Sequence, residues 1–116
     1  MASLTIYHNN RCSKSRDAMC ILDEMKVKAD VIEYLINTPS EEEIRGILHK
    51  LGMKASEIIR RGETVYREKF ADKKMTEEQW IKALLKYPVL MERPIVIRGN
   101  KAVIARPAER LRELFR

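Results

Sequence analysis

The apolar positions of this chain change their spacing from one stretch to the next, and each spacing predicts an element. Leu4-Thr5-Ile6-Tyr7 is a short apolar run that predicts a buried strand. Ala18, Ile21, Leu22 and Met25 then recur at i, i+3, i+4 and i+7, one face of a helix that Ser13 or Ser15 is placed to cap. Val31-Ile32-Glu33-Tyr34-Leu35 is β-branched and aromatic and predicts a second strand. Strand, helix and strand in so short a span make a βαβ unit, with parallel strands and a right-handed crossover.

Asn37-Thr38-Pro39 breaks that pattern. Ser40-Glu41-Glu42-Glu43 has the form of a capping box, and Ile44, Ile47, Leu48 and Leu51 supply the apolar stripe of a helix that Gly52 ends. Ser56 opens a short helical piece through Ile58 and Ile59 that stops at Gly62. Residues 63–75 read as polar and irregular, anchored by Tyr66 and Phe70. Thr76-Glu77-Glu78-Gln79 is a second capping box, leading into Trp80, Ile81, Leu84 and Leu85 before Pro88 closes the helix. Ile95-Val96-Ile97-Arg98 and Ala102-Val103-Ile104-Ala105, joined through Gly99-Asn100-Lys101, predict an antiparallel hairpin. Pro107 fits the first position of a last helix, with Ala108, Leu111, Leu114 and Phe115 facing inward. The order is β-α-β, a helical insertion, then β-β-α. It describes one α/β domain over residues 1–116 with a helical insertion at about 40–88.

Composition narrows the setting. A chain of 116 residues, 45% hydrophobic and 34% charged, is long enough to fold around one core. Its net charge of +6 favours anionic partners. Without a basic tail or an aromatic-studded basic strand, no nucleic-acid surface is expected. No apolar run approaches the roughly 18 residues of a membrane span, and the first residues lack the basic-then-apolar pattern of a secretory signal. A cytoplasmic protein, with no membrane partner, is the expectation. Two cysteines are too few for a disulfide framework and lack zinc-ligand spacing, so no metal is expected.

One stretch carries chemistry. In His8-Asn9-Asn10-Arg11-Cys12-Ser13-Lys14-Ser15-Arg16, a cysteine lies between a strand and a helix start, among cations. Backbone N–H groups at a helix start and nearby positive charge both lower a thiol pKa, and the thiolate is the nucleophile. Cys20 follows mostly along the helix, roughly 12 Å away at about 1.5 Å per residue. A disulfide needs Cα atoms within about 7 Å, so Cys20 cannot resolve Cys12 and reads as a small core residue. His49, among ordinary surface neighbours, reads as structural.

A βαβ half followed by a ββα half, with a cysteine after the first strand and a proline before the third, resembles the thioredoxin fold. That implies a four-stranded mixed sheet flanked by helices. The detailed resemblance is to the glutaredoxin-coupled arsenate reductase family (ArsC). It is carried by His8-Asn9-x-x-Cys12-x-x-Ser15-Arg16, Ile59-Arg60-Arg61-Gly62, Glu92-Arg93-Pro94-Ile95-Val96 and Ala105-Arg106-Pro107, and it spans Leu4 to Phe115. The resemblance implies that Cys12 attacks arsenate and that Arg60, Arg93 and Arg106 hold the oxyanion. Arginine suits that task through its planar fork. It further implies a cis Arg93–Pro94 bond. His8 would supply charge or a hydrogen bond near the thiol, or else fix the loop. Ser15 would donate to the sulfur or cap the helix.

Ser15 stands where a dithiol enzyme has its second cysteine, so the reductant must come from outside, which points to glutathione. The implied partners are arsenate, glutathione as co-substrate and glutaredoxin, with no tightly bound cofactor and nothing that demands more than a monomer. One position departs from the family pattern: Asn10 stands where proline usually stiffens the loop. Two alternatives remain. One is a glutathione-dependent thiol reductase of the same fold, which would not need all three arginines. The other is an Spx-like regulator that binds RNA polymerase. Such regulators usually carry a Cys-x-x-Cys switch, which Cys12-Ser13-Lys14-Ser15 lacks.

Overall fold

Four strands share one sheet in the computed structural model, which describes residues 4–115. The chain divides into two compact units, one built from the stretches up to Asn37 and from Arg93 onward, the other Thr38–Glu92. The first unit holds β1 (Leu4–His8), α1 (Ser13–Glu24), β2 (Asp30–Glu33), β3 (Ile95–Arg98), β4 (Lys101–Ile104) and a 3₁₀ helix, Ala108–Phe115. Sheet order is β2-β1-β3-β4, with β1 parallel to β2 and β3 antiparallel to both β1 and β4. This is the mixed sheet of the thioredoxin-like fold.

Register explains where a site can form. His8 pairs with Glu33, Tyr7 with Ile95, and Ile95 with Ile104. The end of β1, the end of β2, the start of β3 and the end of β4 therefore lie at one end of the sheet. The segments that leave or enter there are Asn9–Cys12, Tyr34, Arg93–Pro94 and Ala105–Pro107. Under the sheet, the period of two in β1 and the helical period in α1 converge on one apolar cluster. Leu4, Ile6, Ala18, Ile21, Leu22, Val96, Ala105, Ala108, Leu111 and Leu114 form it. This core anchors the sheet from which all four segments project.

The second unit is helical, with α2 (Glu41–Leu51), α3 (Thr64–Lys69), α4 (Glu77–Lys86) and 3₁₀ segments at Ala55–Ile58 and Pro88–Leu90. Both expected capping boxes form. Ser40 Oγ accepts from the Glu43 N–H at 3.2 Å while Glu43 accepts from the Ser40 N–H at 3.0 Å. Thr76 and Gln79 repeat the exchange at 3.2 and 2.8 Å. Gly52 closes α2 at φ 67°, the left-handed conformation that glycine adopts without strain. Trp80 stacks on Tyr66 with 6.2 Å between ring centroids and tilts against Phe70 at 5.7 Å. An isolated bridge, Ile59 with Met91, ties the start and end of this stretch together. No helix among the described residues is long and apolar enough to cross a membrane.

Several elements differ from the sequence expectation. Thr64–Lys69 is helical rather than irregular, because Tyr66 and Phe70 are one helical turn apart and both bury against Trp80. Neither Ser13 nor Ser15 caps α1. Cys12 holds the cap position, and the buried Ser15 Oγ accepts from the Asn9 N–H at 3.4 Å. The second strand stops at Glu33, whose carbonyl accepts from the N–H groups of Ile36 and Asn37 at 2.9 and 2.8 Å and so turns the chain. Lys101 belongs to the hairpin's closing pair with Arg98, leaving a two-residue loop in which Gly99 takes φ 59°. The last helix is 3₁₀ and begins one residue after Pro107. Cys20 is exposed, not a core residue: two positions after the inward Ala18, it lies roughly 200° around a helix of about 3.6 residues per turn.

Truncating Leu111, which is fully buried in the cluster, should cost about 2–5 kcal/mol in denaturant unfolding, whereas Cys20→Ser should change stability by no more than about 0.5 kcal/mol.

Candidate active site

Cys12 lies at the N-terminal end of α1, its N–H donating to the Asn9 carbonyl at 3.0 Å. Its side chain is buried. Burial pushes the thiol up, but the Ser15 backbone N–H, the Arg93 guanidinium and the Lys14 backbone N–H outweigh it and bring the pKa from 9.0 to about 7. The thiolate is therefore held by two amides of the helix start and one arginine. A second arginine approaches from the end of β4. Arg106 Nη1 lies 3.9 Å from Cys12 Sγ and donates to the Arg93 carbonyl at 3.2 Å.

Arg93 joins these groups. Its guanidinium faces both Cys12 and Tyr34; burial works against its charge, yet the two partners hold its pKa above the usual arginine value. It stays cationic at every relevant pH. The Arg93–Pro94 bond is cis, as the sequence reading expects, and Arg106–Pro107 is cis as well. The opposed chain directions of β3 and β4 bring both X-Pro steps to the cysteine end of the sheet.

The loop before Cys12 is tied by side chains. His8, 5% exposed, donates from Nε2 to Asn10 Oδ1 at 2.8 Å, and Asn10 Nδ2 donates to Glu33 Oε1 at 3.0 Å. Asn9 Oδ1 accepts from the Arg11 N–H at 3.0 Å. Of the two roles expected for His8, the observed hydrogen bond is the one that fixes the loop. Ser15 turns its backbone N–H toward the sulfur, and its hydroxyl accepts from the Asn9 N–H. Arg11, Lys14 and Arg16 have exposed side chains. Beside this loop runs a groove of about 290 Å³, lined by His8, Asn9, Asn10, Arg11, Glu33, Leu35 and Ile36.

Arg60 belongs to the second unit. Its Nη1 donates to Glu92 Oε1 at 2.9 Å and its Nε to Glu63 Oε1 at 3.3 Å, while its own backbone N–H donates to the Leu90 carbonyl at 2.7 Å. Two carboxylates thus orient this guanidinium. Among the described residues no cluster of His, Cys, Asp and Glu has the makings of a metal site.

A half-ionised thiol with two arginines at its sulfur is a nucleophile built into an anion receptor. The ArsC family model matches residues 7–114. The chain belongs to the ArsC family. It is 43% identical over 111 residues to the "Uncharacterized protein YfgD" of Escherichia coli, covering 94% of this chain and 93% of that one. It is 35% identical over 113 residues to an arsenate reductase of Neisseria meningitidis, covering 96% and 97%. Among solved structures, an arsenate reductase from Vibrio cholerae superposes with a TM-score of 0.91 at 34% identity, covering 97% of each chain.

Within this ArsC-family chain, Cys12, Arg93 and Arg106 meet at one point, and His8 and Ser15 brace the loop that presents Cys12. Three contributors were not legible as site residues in the sequence. The Lys14 amide acts through backbone, so its side chain carried no signal. Asn10 looked like a loss of proline rather than a gain of two hydrogen bonds. Tyr34 looked like an ordinary strand aromatic, although its place beside the strand-one terminus was available from the βαβ pattern.

Alkylation of Cys12 by iodoacetamide, followed by peptide mass spectrometry, should rise with pH through a midpoint near 7. A midpoint in the ordinary thiol range, about 8.5 or above, would contradict this thiolate environment.

Proposed function

We propose that this chain is an arsenate reductase that draws its electrons from glutathione and glutaredoxin. The observation that carries the reading is the placement of both Arg93 and Arg106 at the sulfur of a thiol with pKa about 7. A nucleophile for a neutral substrate needs no such pair. A tetrahedral oxyanion does, because its charge must be neutralised where the sulfur approaches. The arsenate reductase names of relatives and structural neighbours support the same choice of substrate.

The chemistry follows from the groups. The Cys12 thiolate attacks arsenic, an As–O bond breaks, and the oxygen leaves as water after protonation, giving a sulfur-bound arsenic(V) adduct. Arg93 and Arg106 balance the charge on the remaining oxygens. No second cysteine follows Cys12 within a helical turn, so glutathione condenses on the adduct and displaces a further oxygen as water. A glutaredoxin thiolate then attacks the glutathione sulfur. The S–As bond breaks with its electron pair left on arsenic, which becomes arsenic(III), and glutaredoxin carries glutathione away as a mixed disulfide. Hydrolysis of the Cys12–arsenic bond releases arsenite and restores the thiol. Glutathione takes part as a co-substrate, so the cycle needs no tightly bound cofactor.

A coupled assay with arsenate, glutathione, glutaredoxin and NADPH-driven glutathione reductase tests this. NADPH oxidation should depend on arsenate and vanish in Cys12→Ser. Arg93→Ala should lower turnover by about a hundredfold or more with little change in the unfolding midpoint, since its contribution is electrostatic. Reduction of glutathione mixed disulfides with no arsenate-dependent turnover would assign the chain to thiol reduction instead.

A further inference from the structure

Arg93 must hold a cation against a buried sulfur, and a flexible side chain does not do this unaided. Its main chain is fixed from one side, where its carbonyl accepts from Arg106 Nη1 at 3.2 Å and Pro94 is buried. Its guanidinium is met on the other side by Tyr34. Tyr34 has no exposed surface at all and directly follows Glu33, the residue that pairs with His8. Parallel pairing of β1 and β2 therefore delivers the phenol to the end of the sheet that holds Cys12. Out of contact with water, the phenol dipole stands beside the guanidinium where solvent would otherwise be.

We propose that Tyr34 is a positioning residue of the site: its buried phenol faces the Arg93 guanidinium and holds that fork on the Cys12 sulfur and on an oxyanion bound beside it. Tyr34 acts through Arg93 and not on the reacting atoms. The substrate half of this statement rests on the arsenate reading; the thiol half does not. The charged and titratable groups around the sulfur are Arg93 and Arg106 from the β3 and β4 ends, with Tyr34 behind Arg93; His8, at the end of β1, has its Nε2 engaged by Asn10.

Tyr34→Phe removes one oxygen and keeps the buried ring, so the core is retained. In a Cys20→Ser background only Cys12 reports, and its alkylation is followed from acid to alkaline pH. The midpoint should rise by about half a unit to one unit in Tyr34→Phe, because a loosened guanidinium stabilises the thiolate less. It should rise at least as far in Arg93→Ala, and the double variant should match Arg93→Ala alone, the non-additivity expected of residues that act as one. In the arsenate assay, KM should rise about tenfold, because the oxyanion then meets a guanidinium that is no longer held in place. An unmoved alkylation midpoint in Tyr34→Phe, or additive shifts in the double variant, overturns the proposal. The alkylation arm needs no arsenate, so its failure is distinct from failure of the arsenate reading.

Discussion

A thiolate inside a protein is stable only if donors that cannot move away replace the water it has lost. Here burial alone would push the Cys12 thiol up, and the site reverses that through the amides of Ser15 and Lys14 and through Arg93. The amides are fixed because they belong to the first turn of α1. That helix is fixed because Ala18, Ile21 and Leu22 lock it onto β1, β3 and the C-terminal 3₁₀ helix. A chain of causes thus runs from the apolar spacing of one helix to the ionisation of one sulfur. The arginines depend on the same scaffold, since Arg93 and Arg106 reach the sulfur only because β3 and β4 begin and end at the strand end from which Cys12 emerges.

The sequence disclosed most of this scaffold where the physical signal is local. Both capping boxes, the glycine at the end of α2, the βαβ order and the hairpin are written in adjacent residues. Cys12, Arg93 and Arg106 were legible through motif spacing together with strand order. What escaped depends on tertiary partners. Tyr66 and Phe70 are plain aromatics until Trp80 gives them a surface to pack on. Cys20 was misplaced because only the rotation of α1 against the sheet decides which face turns outward. Tyr34 and Asn10 acquire their roles from neighbours far along the chain or across a strand pair, which a one-dimensional pattern does not register.

Asn10 shows how one constraint is met by two chemistries. A proline stiffens a loop by removing backbone freedom, and it does so without partners. An asparagine leaves that freedom in place and restrains the loop through both ends of its amide, one on His8 and one on Glu33. The restraint then extends across the β1–β2 pair, so the loop takes its bearings from the sheet as well as from its own backbone. The second unit uses a comparable device at Arg60, whose guanidinium is oriented by Glu63 and Glu92.

Cys20 lies on the outward face of α1, eight positions along the chain from a thiol that is about half ionised at neutral pH. Many reactive cysteines are protected by a neighbouring thiol that traps the sulfenic acid as a disulfide before oxidation proceeds further. This chain has no such neighbour on the helix that carries Cys12. A peroxide that reaches Cys12 therefore meets no internal stopping point short of the sulfinic acid. The same external thiols that would complete a catalytic cycle would also have to be present to keep the protein from being lost between cycles.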